Sequence, residues 1–394
     1  MPRKSKEQIE NGKAIQFTTL KVRLYPNEAQ TELFEKTFGC CRYIWNHMLA
    51  DQQRFYLETD QHFIPTPAKY KKEAPFLTEV DNQALIQEHN KLSQAFRVFF
   101  KDPKHFGHPN FKKKKTDRDS FTACNHVFES GPTIYTTQDG IRMTKAGIVR
   151  ARFSRRPLPW WKLRRVTVEK TKSGKYYCYV LYEYEVKALE PVTPTPETTI
   201  GLKYSMGHFY VADNGDMADP PQWMKASQEK LAKIQKRLNR MEPGSKNYQK
   251  GVQKYRGLHE HIANQRRDFI HKESSRIANG WDTVCMRADS MQEVSRKKVL
   301  PGNALDAGFG MFRECLRYKL ARQGKPLVLV DRYVPTSRIC SVCGQVRSCD
   351  VHRRTVWVCA KCGAKHQREI NAAKNIKAQG LAQYFSEQSL DKSA

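Results

Sequence analysis

Cys340-Ser341-Val342-Cys343 and Cys359-Ala360-Lys361-Cys362 are two C-x2-C pairs separated by fifteen residues, and a glycine (Gly344, Gly363) follows each. Such pairs sit on tight turns that carry four thiolates to the corners of a tetrahedron, the geometry Zn2+ accepts. All four corners are sulfur and none is left for water, so the expected zinc is structural, one per chain. Two disulfides are the other reading of the quartet, and they belong to an oxidising compartment. The N-terminal MPRKSKEQIENGK lacks the apolar core of an export signal. No run approaches the ~20 apolar residues of a membrane span. The expected location is therefore the reducing cytoplasm. There Cys40, Cys41, Cys124, Cys178, Cys285 and Cys315 are free thiols, and Cys349 and His352, inside the ribbon loop, are bystanders.

The second chemically informative feature is charge. Lys and Arg total 69 against 40 Asp and Glu, a net +29 spread along the whole chain. Like charges at that density repel one another in a compact state and imply a polyanionic partner, here nucleic acid. Candidate phosphate contacts are Lys112, Lys113, Lys114 and Lys115, then Arg155, Arg156, Arg164 and Arg165, and Arg266 and Arg267 on a basic helix; Lys233, Lys236, Arg237 and Arg240 belong to the same class. Any one of them could instead be a solvated, salt-bridged surface residue.

The elements that must position these groups can be read from periodicity. With 394 residues the chain has room for two to four modules. Ile15 to Tyr25 reads as a strand. After Pro26 and a capping Asn27, apolar residues at helical spacing (Leu33, Phe34, Phe38, Cys41, Ile44, Trp45, Met48) predict a helix, and Leu85, His89, Leu92, Phe96, Phe99 and Phe100 predict another. Residues 120–186 read as strands, with a hairpin around Lys172-Ser173-Gly174. The Pro/Thr run 191–198 is the clearest boundary. Beyond it, a strand pair, two basic helices (225–241 and 246–278), a strand, a helix (305–323) and a strand follow in α/β order.

His366-Gln367-Arg368-Glu369-Ile370-Asn371-Ala372-Ala373-Lys374-Asn375-Ile376 resembles the closing motif of the TnpB family, transposon-encoded RNA-guided nucleases related to type V CRISPR effectors. Members typically carry H-D-R-D-x-N-A-A-x-N-I there. The resemblance extends through Asp331-Arg332-Tyr333, Asp306-Ala307-Gly308-Phe309-Gly310, Ala263-Asn264-Gln265-Arg266 and Thr37-Phe38-Gly39-Cys40-Cys41-Arg42, and covers nearly the whole chain.

It implies a multidomain α+β protein: a small β-barrel (wedge) lobe from 1–26 and 118–190, a helical recognition lobe at 27–117, and a linker at 191–198. A RuvC-like, RNase H-type α/β domain follows at 199–334 and 366–382, with the four-cysteine zinc ribbon inserted at 335–365 and a disordered tail at 383–394. It also implies a guide RNA, a double-stranded DNA target beside a short flanking motif, and a bacterial cytosol or nucleoid setting. In that family three carboxylates hold two Mg2+ ions. Here Gly201-Leu202-Lys203 has Lys203 at the first Asp, Met286-Arg287-Ala288-Asp289 has Arg287 at the Glu, and Glu369 lengthens the last Asp. A unit cation about 4 Å from a divalent ion is repelled by roughly 8 kcal/mol at an effective dielectric of about 20. No catalytic Mg2+ is therefore expected, and the chain reads as a nuclease-dead member that binds DNA without cutting and represses transcription. Its three residues sum to +1, as three carboxylates and two Mg2+ do, which predicts a Lys203–Glu369–Arg287 cluster in place of the metals. Two other readings use the same residues: an active nuclease with substitute ligands (Asp213, Asp216, Asp282, Asp306 and above all Asp289), and a guide-free zinc-ribbon nucleic-acid-binding protein.

Overall fold

The computed structural model describes residues 13–115, 118–205, 208–219, 223–289, 308–347 and 355–392. Asp306, Cys349 and His352 lie outside them. Two compact units meet between Ala188 and Leu189, just before the Pro/Thr run. No helix among the described residues is long and apolar enough to cross a membrane.

The first unit pairs a sheet with two helices. Strand β1 (Lys13–Tyr25) runs into helix α1 (Glu28–Thr59). Pro26 ends the strand because it has no ladder donor. Asn27 then closes a capping box: its side chain accepts from Gln30 N at 2.8 Å, and Gln30 Oε1 accepts from Asn27 N at 3.1 Å. The predicted stripe is the buried face of α1, including Phe34, Phe38, Cys41, Ile44 and Met48.

Helix α2 (Asn82–Lys101) departs from the expected stripe. Ala84, Leu85, Glu88, Leu92 and Phe96 are buried, whereas Phe100 is exposed. Glu88 sits in the stripe because Lys91 (2.6 Å) and Lys112 pair with its carboxylate, so the buried charge is compensated.

The strands β2 (Asp119–Cys124), β3 (Val127–Phe128), β4 (Gly131–Pro132), β5 (Tyr135–Thr136), β6 (Gly140–Met143), β7 (Gly147–Arg152), β8 (Lys162–Lys170) and β9 (Tyr176–Lys187) follow. Seven of the nine form an antiparallel sheet ordered β2-β8-β9-β1-β7-β6-β5. Among the described residues no ladder joins β2 to β5, and β5 is only two residues long. The hydrogen bonds thus describe an open sheet where a small barrel is expected. The β8–β9 hairpin turns at Gly174 (φ 80°), and Tyr176 and Tyr182 of the tyrosine-rich β9 pack inward.

The second unit is layered. Strands β10 (Thr199–Tyr204), β11 (Tyr210–Ala212), β12 (Met217–Ala218), β13 (Thr283–Arg287) and β14 (Leu327–Val330) form a sheet ordered β12-β11-β10-β13-β14, in which β10, β13 and β14 are parallel. Helices α3 (Trp223–Leu238) and α4 (Lys246–Gly280) follow β12, and α5 (Phe309–Ala321) precedes β14. One core joins Ile270 and Ile277 of α4 and Phe309, Phe312, Leu316 and Leu320 of α5 to sheet residues Ile200, Leu202, Val284 and Met286. A smaller one joins Cys285, Val328 and Val330 to Ile376 of α6 (Arg368–Lys392). Helix α6 runs to Lys392, past residue 383 where a disordered tail is expected. Gln383 bonds Glu387 one turn on, at 2.9 Å, which extends the helix.

Two glycines let α6 lie against the sheet. A Cβ on Gly201 of β10 would sit 2.3 Å from the Ala373 carbonyl, and one on Gly380 of α6 would sit 2.5 Å from Cys285 Sγ. The first obstacle is backbone, which cannot rotate away. Gly201→Ala is therefore expected to cost about 1–3 kcal/mol and to lower the melting temperature of this unit. An unchanged melting curve would mean that α6 has slack the close approach does not suggest.

Candidate functional site

The ribbon is built from two copies of one turn. In the first, Gly344 N donates to Cys340 O (2.9 Å) and Cys340 N to Gln345 O (2.9 Å). In the second, Gly363 N donates to Cys359 O (2.9 Å) and Cys359 N to Ala364 O (2.9 Å). Gly344 and Gly363 have φ of 72° and 71°, the left-handed region that favours glycine, which explains their place after each pair. Strands β15 (Val356–Val358) and β16 (Lys365–Gln367) pair Trp357 with His366.

The turns bring Cys340 Sγ to 3.7 Å from Cys362 Sγ and Cys343 Sγ to 3.6 Å from Cys359 Sγ, and all four sulfurs lie within 4.8 Å of one another. Four sulfurs each about 2.3 Å from one zinc would stand about 3.8 Å apart, whereas a disulfide needs about 2.05 Å. The quartet fits a tetrahedral zinc. Backbone amides at Cys362 and Lys361 lower the Cys359 thiol below its ordinary range, toward the thiolate that a metal requires, while burial and the neighbouring thiols raise Cys362. His366 Nε2, buried, lies 3.1 Å from Cys340 Sγ and can donate to it, an outer contact that composition does not disclose. Among the described residues this is the only group of three or more His, Cys, Asp or Glu side chains close enough to share an ion.

The motif after the ribbon fastens it to α6. Asn371 Oδ1 accepts from Ser341 N at 2.9 Å and its Nδ2 donates to Ile339 O at 2.7 Å. Asn375 Nδ2 donates to Thr336 O and Ile339 O, both at 2.7 Å. Ala372 and Ala373 are fully buried; their small side chains permit the approach to β10. Each of these residues has a packing task independent of any carboxylate chemistry.

The three positions read as degenerate come to one end of the sheet. Lys203 and Arg287 lie near the C-terminal ends of the parallel neighbours β10 and β13, in register through Leu202 and Met286. Glu369 is in the first turn of α6. Lys203 Nζ is 3.7 Å from Glu369 Oε1 and donates to Tyr204 O at 3.1 Å, while Ser205 Oγ donates to Glu369 Oε2 at 2.7 Å. Burial pushes the Lys203 ammonium below its usual range; Glu369 opposes this, and Arg368 and Arg287 add to it. The predicted three-membered cluster forms only in part. Arg287 bonds Asp289 Oδ1 (3.1 Å) and the Arg332 carbonyl (2.5 Å), and Arg368 supplies the second cation at Glu369, 3.6 Å away. Asp289 lies two residues beyond Arg287 and offers it a nearby partner.

The candidate phosphate contacts divide into two groups. Lys112 pairs with Glu88 and lies 4.0 Å over the Trp45 ring, while its backbone exchanges hydrogen bonds with Asn46. Arg164 is held two-pronged by Glu183 at 2.6 and 2.8 Å, and Arg267 donates to Asn264 at 3.2 Å. These three fasten the fold locally. Lys113, Lys114, Lys115, Arg155, Arg156 and Arg165 are exposed, and Arg266 is half-buried.

Three family models match the chain: "Cas12f1-like, TNB domain" over residues 309–376, "Helix-turn-helix domain" over 18–61 and "Probable transposase" over 179–287. A candidate RNA-guided DNA endonuclease of Streptomyces pristinaespiralis is 30% identical over 375 residues, covering 92% of this chain and 89% of the relative. The chain belongs to the TnpB family. Another relative, the candidate RNA-guided DNA endonuclease InsQ of Escherichia coli (strain K12), is 28% identical across 92% of both chains. A solved Cas12f1, determined as a complex with sgRNA and target DNA, shares the fold of this TnpB-family chain with a TM-score of 0.55 at 12% identity, covering 93% of this chain and 99% of that one. Over 18–61 the TnpB-family chain forms a strand and one continuous helix. A helix-turn-helix needs two helices joined by a short turn, so that name describes sequence similarity here and not the local geometry.

Proposed function

We propose that this protein binds double-stranded DNA under the direction of a guide RNA, holds it without cleavage, and represses transcription by occupying promoter DNA. One observation supports the non-cleaving part: the ammonium of Lys203 lies 3.7 Å from Glu369 Oε1, two of the positions that this reading aligns with the family's metal-holding carboxylates. Mg2+ depends on carboxylate oxygens and dehydrates reluctantly. A lone glutamate already served by Lys203, Arg368 and Ser205 does not fit it.

The described substitute ligands are also committed. Asp213 pairs with Lys377 (3.1 Å) and accepts from Gly201 N, and Asp216 pairs with Arg276 (2.8 Å). Asp282 pairs with Lys325 (3.3 Å) and Asp289 with Arg287 (3.1 Å). In this reading the seven-stranded sheet is the wedge lobe, α1 and α2 form the recognition lobe, and the five-stranded sheet with α6 is the RuvC-like domain carrying a zinc ribbon on Cys340, Cys343, Cys359 and Cys362. Guide pairing reads the target, and the protein reads a short flanking motif and the backbone. None of these tasks uses the missing carboxylates. The setting is the bacterial cytosol and nucleoid.

The test is direct. Purified with its guide, the protein is expected to retain a guide-matched duplex and leave it intact in Mg2+ or Mn2+, and a reporter carrying that site beside the flanking motif is expected to be silenced. Guide-dependent cutting that disappears in Asp289→Ala would overturn the reading in favour of an active nuclease. Occupancy without silencing would remove repression and keep the binding.

A further inference from the structure

The first unit contains a cavity of about 470 Å3 between the β3–β4 hairpin, the Pro157–Pro159 loop and the start of β8. Tyr135, Trp161 and Tyr182 give it aromatic walls, and Thr136 lines it too. Trp161 is braced from the side by Tyr184, the rings stacked at 5.1 Å and 20°. Tyr182 is only 2% exposed, and its hydroxyl makes no hydrogen bond of normal geometry; the Thr136 side chain is the polar group that bears on it. A buried hydroxyl without a well-formed hydrogen bond is unfavourable, so this one is suited to a polar group that enters the cavity.

The surroundings specify what enters. The Arg155 guanidinium lies 5.2 Å over the Trp161 ring, and Arg156 lies 4.9 Å over Phe153 with Nη1 donating to Thr137 O. Both arginines are exposed. Trp160 and Phe128 nearby in sequence are each 62% exposed. Aromatic faces interleaved with cations form a platform for single-stranded nucleic acid, whose bases have left the stack and whose phosphates meet the arginines. An exposed aromatic patch of this kind costs solubility whenever it is uncovered, which favours a resident strand over a transient one. In the function proposed above the resident strand is the guide RNA, and DNA arrives later.

We infer that this cavity seats one unstacked base of single-stranded RNA, with Tyr135, Trp161 and Tyr182 around the base and Arg155 and Arg156 on the flanking phosphates. The inference rests on the guide-RNA reading, so its test uses no target DNA. The full chain, freed of co-purifying nucleic acid in high salt, is titrated with labelled eight-nucleotide homopolymers of A, C, G and U and their deoxy counterparts.

One ribopolymer is expected to bind best. Tyr182→Phe keeps the packed ring and removes the hydroxyl; it is expected to weaken that one polymer about five- to tenfold and spare the other three. Arg155→Gln with Arg156→Gln, both on the surface, is expected to weaken all four alike and to reduce the salt dependence by roughly one to two phosphate contacts. Tyr182→Phe acting on all bases equally, or on none, overturns the base site. Deoxy strands binding as tightly as ribo strands overturn the assignment to RNA. Retention of a guide-matched duplex is measured separately and can persist when this site fails, or fail when it holds.

Discussion

Cys343→Ser is expected to reduce bound zinc from about one per chain to near zero and to unfold the ribbon while the rest of the second unit stays folded. Among its described residues the ribbon has a very small core: Cys340, Trp357 and Cys359 are buried together, with Cys343 packed against them. A segment of this size, below about 40 residues, cannot bury enough apolar surface to fold alone, and a metal makes up the difference. Loss of one sulfur removes a ligand and leaves three thiols that repel as thiolates. The sheet and α6 keep separate cores around Ile200, Met286 and Phe312 and around Val328 and Ile376. Elemental analysis and limited proteolysis check this, with cutting expected between residues 336 and 367. Unchanged zinc in Cys343→Ser would sink the assignment. Resistance of a zinc-free ribbon to protease would sink its structural role.

The second large effect is expected from restoring acids at the strand ends. Lys203→Asp, Arg287→Glu and Glu369→Asp together are expected to bind Mn2+ where the parent does not. Each cation at about 4 Å opposes a divalent ion by roughly 8 kcal/mol at an effective dielectric of about 20, and each replacement carboxylate reverses that sign. Titration with Mn2+, followed by calorimetry or by paramagnetic broadening, reads the result without requiring cleavage. Failure of the triple variant to bind Mn2+, with its fold intact, would mean that the three positions do not converge as their family counterparts do. Lys203→Ala with Arg287→Ala supplies the complementary arm. If that pair holds target DNA as tightly as the parent and melts at the same temperature, the cations contribute nothing to binding and only their exclusion of metal remains.

Much of the chemistry was legible because it is local. The two C-x2-C turns, their glycines and the Asn27 cap each act within a few residues, so spacing alone predicts their geometry. The same holds for the identities of residues 203, 287 and 369 within short motifs. What each charged side chain does was not legible, because its partner is distant in the chain. Lys112 reads as one of four candidate phosphate contacts, yet it compensates Glu88, 24 positions away. Arg164 reads as a phosphate contact until β8 and β9 pair and place Glu183 beside it. Arg287 was expected at Glu369 and bonds Asp289, while Arg368 takes its place.

The sequence by itself determined the family, the four-cysteine quartet and the identities of residues 203, 287 and 369, since these depend on which residues occupy short, ordered motifs. Only the tertiary structure decided which cations are already neutralised, which asparagines fasten the ribbon, and which tyrosine is buried in the cavity wall. Those outcomes depend on distances of a few ångströms between segments as far apart in the chain as those of Lys203 and Glu369. Side-chain electrostatics and hydrogen bonding fall off over that same short range, so the pairings exist only once the chain has folded.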